Sequence, residues 1–118
     1  MSAQQDLRHV VSDAPRVMVV DGSKLVRKLI GDTLLKELPG ARVVGCAGIE
    51  EARAILAEGA VDLVTTALVL PDGDGLALAR SVREASGQAY VPVIVVSGNA
   101  QEALEARAFT EDVTDYFD

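Results

Sequence analysis

Short aliphatic runs recur along the chain, and each is bounded by glycine, proline or other turn-forming residues. None of these runs alternates polar and apolar side chains, which is typical of strands that are covered on both faces of a parallel sheet. The runs therefore predict five buried strands. They are expected at residues 16–20, 41–45, 62–66, 91–96 and 113–117.

The segments between these runs carry helical periodicity. After Ser23, which suits a helix N-cap, apolar side chains recur at spacings of three and four. They are Val26, Leu29, Ile30, Leu34 and Leu38. This pattern predicts a helix that ends at Pro39-Gly40, followed by helices at residues 49–58, 74–86 and 101–110, with Leu76, Ala79 and Val82 facing inward in the third. Parallel strands need crossover connections, so the alternation predicts an α/β fold with helices on both faces of the sheet.

Composition places the chain among ordinary globular domains. Its 118 residues are enough for one domain with a real core, and 49% of them are hydrophobic while 25% are charged. A net charge of −7 argues against binding to nucleic acid or to an anionic membrane. The single Cys46 excludes an internal disulfide and favours a reducing compartment.

The first residues differ from the rest of the chain. Residues 1–15 are polar apart from Val10 and Val11, and we interpret them as a loosely packed leader before a domain at residues 16–118. His9 is interpreted as a solvated leader residue. Residues 1–16 lack a secretory core and no apolar run reaches membrane-spanning length, so we expect a cytoplasmic protein.

The candidate functional residues lie mainly in residues 62–75, where a predicted buried strand is followed by a glycine-rich loop and then by a helix. The carboxyl ends of strands in such sheets are where ligands and reactive groups lie. The position at which a reactive side chain is expected holds Ala67. A methyl group cannot act as a nucleophile or as a metal ligand.

Several residues at the ends of the predicted strands form a pattern. They are Asp21, Ser23 and Arg27 after the first strand, Pro71 and Asp74-Gly75 after the third, Ser97-Gly98 after the fourth, and Tyr116 in the fifth. With this pattern, residues 17–118 resemble the receiver domain of two-component response regulators. The resemblance implies a flavodoxin-like, three-layer fold with a site at the carboxyl ends of strands one, three, four and five.

The resemblance also identifies what the site lacks. It implies a phosphoaccepting aspartate at the position of Ala67 and a second paired acid at the position of Gly22. In the family, Mg²⁺ is held by carboxylates and by a backbone carbonyl that corresponds to Val69. Asp21 is the acid that remains in this vestigial pocket, and Mg²⁺ requires several oxygen ligands. We therefore predict no catalytic residue, no enzymatic activity of this domain, no Mg²⁺ site and no other cofactor.

The resemblance implies switch positions at Ser97 and Tyr116. Without a phosphate to bind, Ser97 is interpreted as a local hydrogen-bonding residue, and the rotamer of Tyr116 is left open. Asp21 is interpreted as an acid that orders its loop, and Cys46 as a small buried hydrophobic residue.

Two pairs of polar residues flank Ala67. Asp72 and Asp74 are interpreted as residues that shape the turn and cap the third helix. Thr65 and Thr66 are interpreted as hydrogen-bonded hydroxyls within the core.

The sequence thus predicts a non-phosphorylatable pseudo-receiver that acts as a regulatory, protein-interaction module in bacterial two-component phosphorelay signalling. One alternative is a receiver still phosphorylated on Asp72 or Asp74, and another is an engineered Asp-to-Ala variant of an active receiver. Gly22 favours a natural origin, because one silencing substitution would leave the paired acids intact. A nucleotide-binding or other small-ligand domain is disfavoured, because the loop after the first strand holds one glycine.

The resemblance implies a fifth helix after the fifth strand, and the family's lysine would stand at position 119. We therefore expect this chain to lack that helix and to be the N-terminal part of a longer multidomain protein, attached to an output domain such as a diguanylate cyclase. The expected partners are proteins or other domains of the same polypeptide, with a homodimer left open. Neither nucleic acid nor a membrane is expected as a partner.

Overall fold

The computed structural model describes residues 14–85 and 90–96 together with the backbone of residues 115–117. Among these residues, strands and helices alternate up to β6, apart from two very short strands after the third, and β7 is the next element described. They are β1 (Arg16–Val20), α1 (Lys24–Glu37), β2 (Arg42–Cys46), α2 (Ile49–Glu58), β3 (Leu63–Ala67), β4 (Val69–Leu70), β5 (Gly73–Asp74), α3 (Gly75–Glu84), β6 (Val93–Val96) and β7 (Asp115–Phe117).

The main sheet has five parallel strands in the order β2-β1-β3-β6-β7. Its register aligns Val19 of β1 with Gly45 on one side and with Thr65 on the other, and Thr65 in turn with Ile94. Parallel neighbours require crossovers, and α1 lies on one face of the sheet while α2 and α3 lie on the other. The predicted flavodoxin-like α/β sheet is confirmed.

Hydrogen bonds at the amino edge of the sheet shift the predicted strand boundaries by one or two residues. Asp62, predicted to be in a strand, instead accepts the Arg16 N–H with its carboxylate at 2.8 Å and donates its own N–H to the Arg16 carbonyl at 2.7 Å. The strand therefore begins at Leu63. Pro92 has no N–H to contribute to the ladder, so β6 begins at Val93.

α1 begins at the predicted cap. Ser23 has extended backbone angles and its Oγ accepts the Val26 N–H at 3.2 Å. At the other end, the Leu38 N–H donates to the Leu34 carbonyl at 2.7 Å, and Gly40 follows with a φ of 91°. The helix thus ends where the Pro39-Gly40 pair predicts.

The inward face of α1 is narrower than its pattern predicts. Gly31 is buried, and a Cβ on it would lie 3.4 Å from Val43 Cγ1, so the helix approaches β2 closely at this point. Residues two apart on a helix point in nearly opposite directions, so Leu29 is 57% exposed. Leu38 is 37% exposed. These two leucines share the apolar spacing of the helix but are not part of its buried face.

The main core lies between the sheet and the two helices on its other face. It consists of Met18, Val20, Cys46, Ile49, Ala52, Val61, Val64, Leu70, Leu78, Ala79, Val82 and Val93. In α3 the inward residues are Leu78, Ala79 and Val82, while Leu76 is half-buried, so the prediction for Leu76 is corrected to Leu78. The helix begins at Gly75, with Asp74 as its N-cap, which agrees with the predicted start within one residue, and it ends at Glu84, two residues before the predicted end.

A two-stranded ribbon connects β3 to α3, where the sequence predicts only a loop. Val69 pairs with Asp74, and Leu70 pairs with Gly73, in antiparallel register. Gly73 has a φ of 155°, and a Cβ on it would lie 2.5 Å from Ile49 Cδ1. The backbone angle therefore favours glycine at this turn, and any larger residue would also displace the end of the Ile49 side chain.

Some predictions fall on residues that the structure does not describe. These are the leader at residues 1–13, including His9, the switch residue Ser97 and the helix at residues 101–110. In the described part of the chain, no helix combines the length and apolar character that a membrane crossing requires.

Candidate functional site

Two loops meet at the carboxyl edge of the sheet. Asp21 and Gly22 follow β1, and the β3–α3 connection follows Ala67. A Cβ on Gly22 would lie 3.1 Å from Pro71 Cγ and 3.2 Å from Pro71 Cδ, so the two loops are in contact. The structure therefore brings together the residues that the sequence assigns to one site.

Asp21 is engaged by its own loop through all three of its polar groups. Its backbone N–H donates to the Cys46 carbonyl at 3.0 Å, and its Oδ1 accepts the Ser23 N–H at 2.8 Å. Its carbonyl accepts the Arg27 guanidinium at 2.7 Å. These contacts fix the turn that joins β1 to α1. Among the described residues, Oδ2 of this carboxylate has no hydrogen-bond partner.

Ala67 ends β3 beside Val96 of β6 and is half-buried. Its carbonyl oxygen accepts the Thr66 hydroxyl at 2.9 Å. The same oxygen lies under the first residue of α3, because a Cβ on Gly75 would be only 2.3 Å from it. The backbone at this position is thus held firmly while the side chain is a methyl group, which offers neither a lone pair nor a proton.

The donor set at this edge does not fit Mg²⁺. The ion requires near-octahedral coordination by oxygen, usually including at least one or two carboxylates and several waters. Asp21 contributes one carboxylate, while Gly22 and Ala67 contribute none, and Val69 has only its backbone carbonyl to offer. Among the described residues, no cluster of three or more His, Cys, Asp or Glu side chains could hold a metal ion.

Asp72 caps α2. Its Oδ1 accepts the Ile49 N–H at 2.8 Å and its Oδ2 accepts the Glu50 N–H at 3.1 Å. These hydrogen bonds hold the pKa of the Asp72 carboxyl below its ordinary value of 3.8. The interpretation of this residue as a cap of the third helix is wrong, because its carboxylate reaches across to the second.

Asp74 caps the third helix. It stands at the N-cap of α3 with extended backbone angles, and its Oδ1 accepts the Ala77 N–H at 2.8 Å. Asp72 and Asp74 together bind the amino ends of both helices that cover the main core. The loop after β3 is therefore a structural junction of the domain.

Comparison with known proteins identifies this architecture. Residues 17–118 match the family of the response regulator receiver domain. The chain belongs to this receiver family. It is 30% identical over 111 residues to the sensor histidine kinase TmoS of Ectopseudomonas mendocina, covering 94% of this chain and 11% of the kinase. It is 40% identical over 101 residues to a protein-glutamate methylesterase/protein-glutamine glutaminase of Cereibacter sphaeroides, covering 79% of this chain and 27% of that protein.

The same family appears among solved structures. A response regulator receiver protein from Pseudomonas putida is 33% identical, with a TM-score of 0.68 over 87% of this chain and 84% of that one. A sensor protein from Polaromonas sp. JS666 is 27% identical, with a TM-score of 0.76 over 88% and 82% of the two chains. The chain thus matches these two solved structures over most of their length, but it spans only about a tenth to a quarter of the two curated relatives.

The two residues that the family resemblance places at switch positions are described to different extents. Tyr116 lies in β7 beside Val95 of β6, so its strand is the edge strand that the family resemblance implies. Ser97 directly follows β6 in the sequence and lies outside the described residues. The interpretation of Ser97 as a hydrogen-bonding residue stays a prediction.

The two threonines of β3 differ. Thr66 is buried and its hydroxyl donates to the Ala67 carbonyl, as the interpretation of a hydrogen-bonded core hydroxyl requires. Thr65 is 4% exposed, and its buried Oγ1 has no hydrogen-bond partner among the described residues. The interpretation is wrong for Thr65, because its side chain points to the opposite face of the sheet, where its registered neighbours are Val19 and Ile94.

Cys46 is buried at the end of β2, in agreement with its interpretation as a small hydrophobic residue. Burial raises the pKa of its thiol from 9.0 to about 11, and the charge of Glu51 contributes in the same direction. A thiol with this pKa is almost entirely protonated at neutral pH and is a poor nucleophile.

The sequence analysis does not predict the contact between Asp72 and α2, although Gly48 indicates that such a contact exists. Gly48 occupies the N-cap of α2 and has no side chain with which to cap the helix. The first N–H groups of a helix need acceptors, so a glycine at this position indicates that an acceptor comes from elsewhere in the chain. Gly48 also makes room for it, since a Cβ there would lie 2.6 Å from Asp72 Oδ1.

Proposed function

We propose that this receiver is not phosphorylated and serves as a regulatory, protein-interaction module of two-component signalling within a longer polypeptide that carries an output domain, such as a diguanylate cyclase. The observation that carries the proposal is the pair of residues at the carboxyl edge of the sheet. Ala67 ends β3 where the family resemblance implies the phosphoacceptor, and Gly22 stands where it implies the second acid. The domain itself is proposed to have no catalytic activity.

Phosphoryl transfer to a receiver requires a side-chain oxygen that attacks phosphorus and positive charge that stabilises the transferred group. Ala67 supplies no such oxygen. The donor set around Asp21 supplies too few ligands for the cation. Both requirements fail at the same place, so restoring one of them alone does not restore the reaction.

The described contacts argue against the alternative of phosphorylation on another acid. Both oxygens of the Asp72 carboxylate accept backbone N–H groups of α2, and Oδ1 of Asp74 accepts one from α3. Attack by the Asp72 carboxylate would require breaking a helix cap, and the Asp74 carboxylate is already held at the cap of α3 through Oδ1. This favours a receiver without a working phosphoacceptor over one with a displaced phosphoacceptor.

An interaction role is supported by the outer surface of α1. Leu25 is 66% exposed and Leu29 is 57% exposed, one turn apart on the same side of the helix. Lys28, which pairs with Asp32 at 3.0 Å, lies beside them. Adjacent exposed leucines bordered by charged side chains are typical of protein-binding surfaces.

Mass spectrometry tests the absence of phosphorylation. The intact protein is incubated with Mg²⁺ and a small phosphodonor, beside a Gly22→Asp/Ala67→Asp double variant and each single variant. We expect no gain in the unaltered protein or the single variants, and a gain of about 80 Da, one phosphoryl group, in the double variant. A gain of this size on any acid of the unaltered protein would overturn the proposal.

Hydrogen exchange tests the interaction role. The exchange of α1 amides is compared between residues 1–118 and the complete natural polypeptide that contains them. We expect slower exchange in α1 of the complete polypeptide, and loss of this protection in a Leu25→Asp/Leu29→Asp variant but not in a Leu35→Asp control. Identical exchange in both forms would count against this surface as a binding site.

A further inference from the structure

One edge of the main sheet is formed by β2. The strand stands at the end of the order β2-β1-β3-β6-β7, and its register with β1 is continuous over its whole length, so it has no bulge. It also has no proline, and its charged residue, Arg42, is the first of the strand. Bulges, prolines and central charges are features that protect natural edge strands against pairing with another strand. The middle of β2 has none of them.

Two residues of β2 turn their backbone groups away from the sheet. The Arg42 N–H donates to the Pro15 carbonyl at 2.8 Å, so the backbone of Arg42 faces β1. In a parallel ladder, alternate residues of a strand bond to the same neighbour. Every second residue of β2 from Arg42 onward therefore bonds to β1, and the N–H and carbonyl groups of Val43 and Gly45 point outward.

The outward edge is bounded on both sides by N–H groups that have acceptors. The Ala41 N–H donates to the Leu38 carbonyl at 3.0 Å, and the Ala47 N–H donates to Glu51 Oε1 at 3.3 Å. Between them, the outward backbone groups of β2 have no hydrogen-bond partner in the part of the chain that the structure describes. Gly45 is exposed, and because it has no side chain, this exposure is that of its backbone.

The spacing of these groups suits antiparallel pairing between two copies of β2. Residue pairs that exchange both of their hydrogen bonds recur at every second position of an antiparallel ladder. If Val44 lies on a two-fold axis, Val43 of each copy lies opposite Gly45 of the other. Each outward N–H then meets an outward carbonyl, so the same strand satisfies itself in a second copy.

The charges beside β2 match in the same register. Pairing about Val44 places Arg42 of one copy opposite Cys46 of the other, and both side chains lie on the sheet face that α2 covers. Glu51 of α2 is anchored next to Cys46, since its carboxylate accepts the Ala47 N–H. Arg42 is exposed, and neither it nor Glu51 has an ion pair among the described residues. Opposite charges at facing positions stabilise strand pairing, and a two-fold interface makes each contact twice.

We propose that this chain forms a two-fold homodimer in which β2 pairs antiparallel with β2 of a second copy about Val44. The two sheets become one continuous sheet, and Arg42 of each copy pairs with Glu51 of the other. The inference goes beyond the proposed function and does not depend on the absence of phosphorylation, because β2 holds neither Ala67 nor Gly22.

Disulfide trapping in the complete natural polypeptide, with its native cysteines (Cys46 among them) replaced by alanine, tests the register. Facing residues of a pair without mutual hydrogen bonds have Cα atoms about 4.5 Å apart, which a disulfide spans. We therefore expect Val44→Cys to form a disulfide between two chains under mild oxidation. In the matched control, Val43→Cys, the two Cα atoms would be about 8–9 Å apart, beyond disulfide reach, and we expect none. No disulfide in either variant, equal yields in both, or a disulfide in the control alone would each overturn the proposal.

Charge reversal in the Val44→Cys protein gives an independent readout. Arg42→Glu places a like charge opposite Glu51 of the other copy, so we expect disulfide formation to slow about tenfold at the same protein concentration. Adding Glu51→Arg exchanges the two signs and should recover most of the rate. Arg80→Glu makes the same charge change on the exposed side of α3 and should leave the rate within about twofold.

Equal slowing by Arg42→Glu and Arg80→Glu would show that net charge alone sets the rate, and the proposed contact would then be refuted. The phosphodonor experiment gives the same result whether or not β2 pairs with a second copy, so the two proposals fail separately.

Discussion

The buried hydroxyl of Thr65 gives a quantitative test of the packing in this sheet. Thr65 is 4% exposed and its Oγ1 has no hydrogen-bond partner in the part of the chain that the structure describes. Leaving a polar group buried without a partner costs about 1–3 kcal/mol. Valine has nearly the same shape and β propensity, and its methyl group suits the aliphatic surroundings of Val19 and Ile94. We therefore expect Thr65→Val to raise the free energy of unfolding by about 1 kcal/mol.

The neighbouring residue supplies the control. Thr66 is equally buried, but its hydroxyl donates to the Ala67 carbonyl at 2.9 Å. Thr66→Val removes this hydrogen bond and is expected to lower the free energy of unfolding by about 1 kcal/mol. The same substitution at adjacent positions of one strand thus has opposite expected signs.

Urea titration measures both effects. With a slope of about 1.5 kcal/mol/M for a domain of this size, a change of about 1 kcal/mol moves the midpoint by about 0.7 M, and the slope stays the same. A lower midpoint for Thr65→Val would show that this hydroxyl has a hydrogen-bond partner in solution, and the reasoning from its burial would then be refuted.

Three further changes examine other contacts. Gly75→Ala brings a Cβ to 2.3 Å from the Ala67 carbonyl oxygen, so we expect a loss of about 2–3 kcal/mol by urea titration, and an unchanged midpoint would contradict this close approach. The pKa of Asp72 is lowered in the folded protein, so its carboxylate stabilises the fold above the ordinary value of 3.8, and this contribution is lost as the pH falls through the lowered pKa. The Tm difference between the unaltered protein and Asp72→Asn should therefore be largest near neutral pH and shrink below 3.8; a constant difference would show that the charge is not involved. The Cys46 thiol, buried and with its pKa raised to about 11, should react slowly with iodoacetamide at about pH 8 in the native state and readily in denaturing urea, whereas rapid native labelling would contradict its burial.

Local patterns in the sequence were sufficient for much of the fold. The aliphatic runs predicted the strands to within two residues at their described boundaries, because a strand buried on both faces has few alternatives. Ser23 predicted the start of α1, and its hydroxyl does accept the Val26 N–H. Such signals depend on residues that are close in sequence and act on each other directly.

The features that escaped prediction depend on distant contacts. Asp72 caps a helix that begins 23 residues earlier, so its role is decided by how two loops pack. The exposure of Leu29 depends on the rotation of α1 about its axis, which the close contact between Gly31 and Val43 fixes. At the candidate site, the sequence itself gives the alanine at position 67. It does not predict the close approach of Gly75 to the Ala67 carbonyl oxygen.

The junction after β3 has a consequence for how such chains change over time. Asp72, Asp74 and Gly75 hold two helix ends and the backbone of residue 67, and none of these contacts involves the side chain at position 67. Replacing an acid at position 67 therefore leaves these stabilising contacts intact. Replacing Asp72, Asp74 or Gly75 would remove or disrupt them. In this chain the Pro71-x-x-Asp74-Gly75 segment thus supports the scaffold of the domain through contacts that do not depend on which side chain stands at position 67.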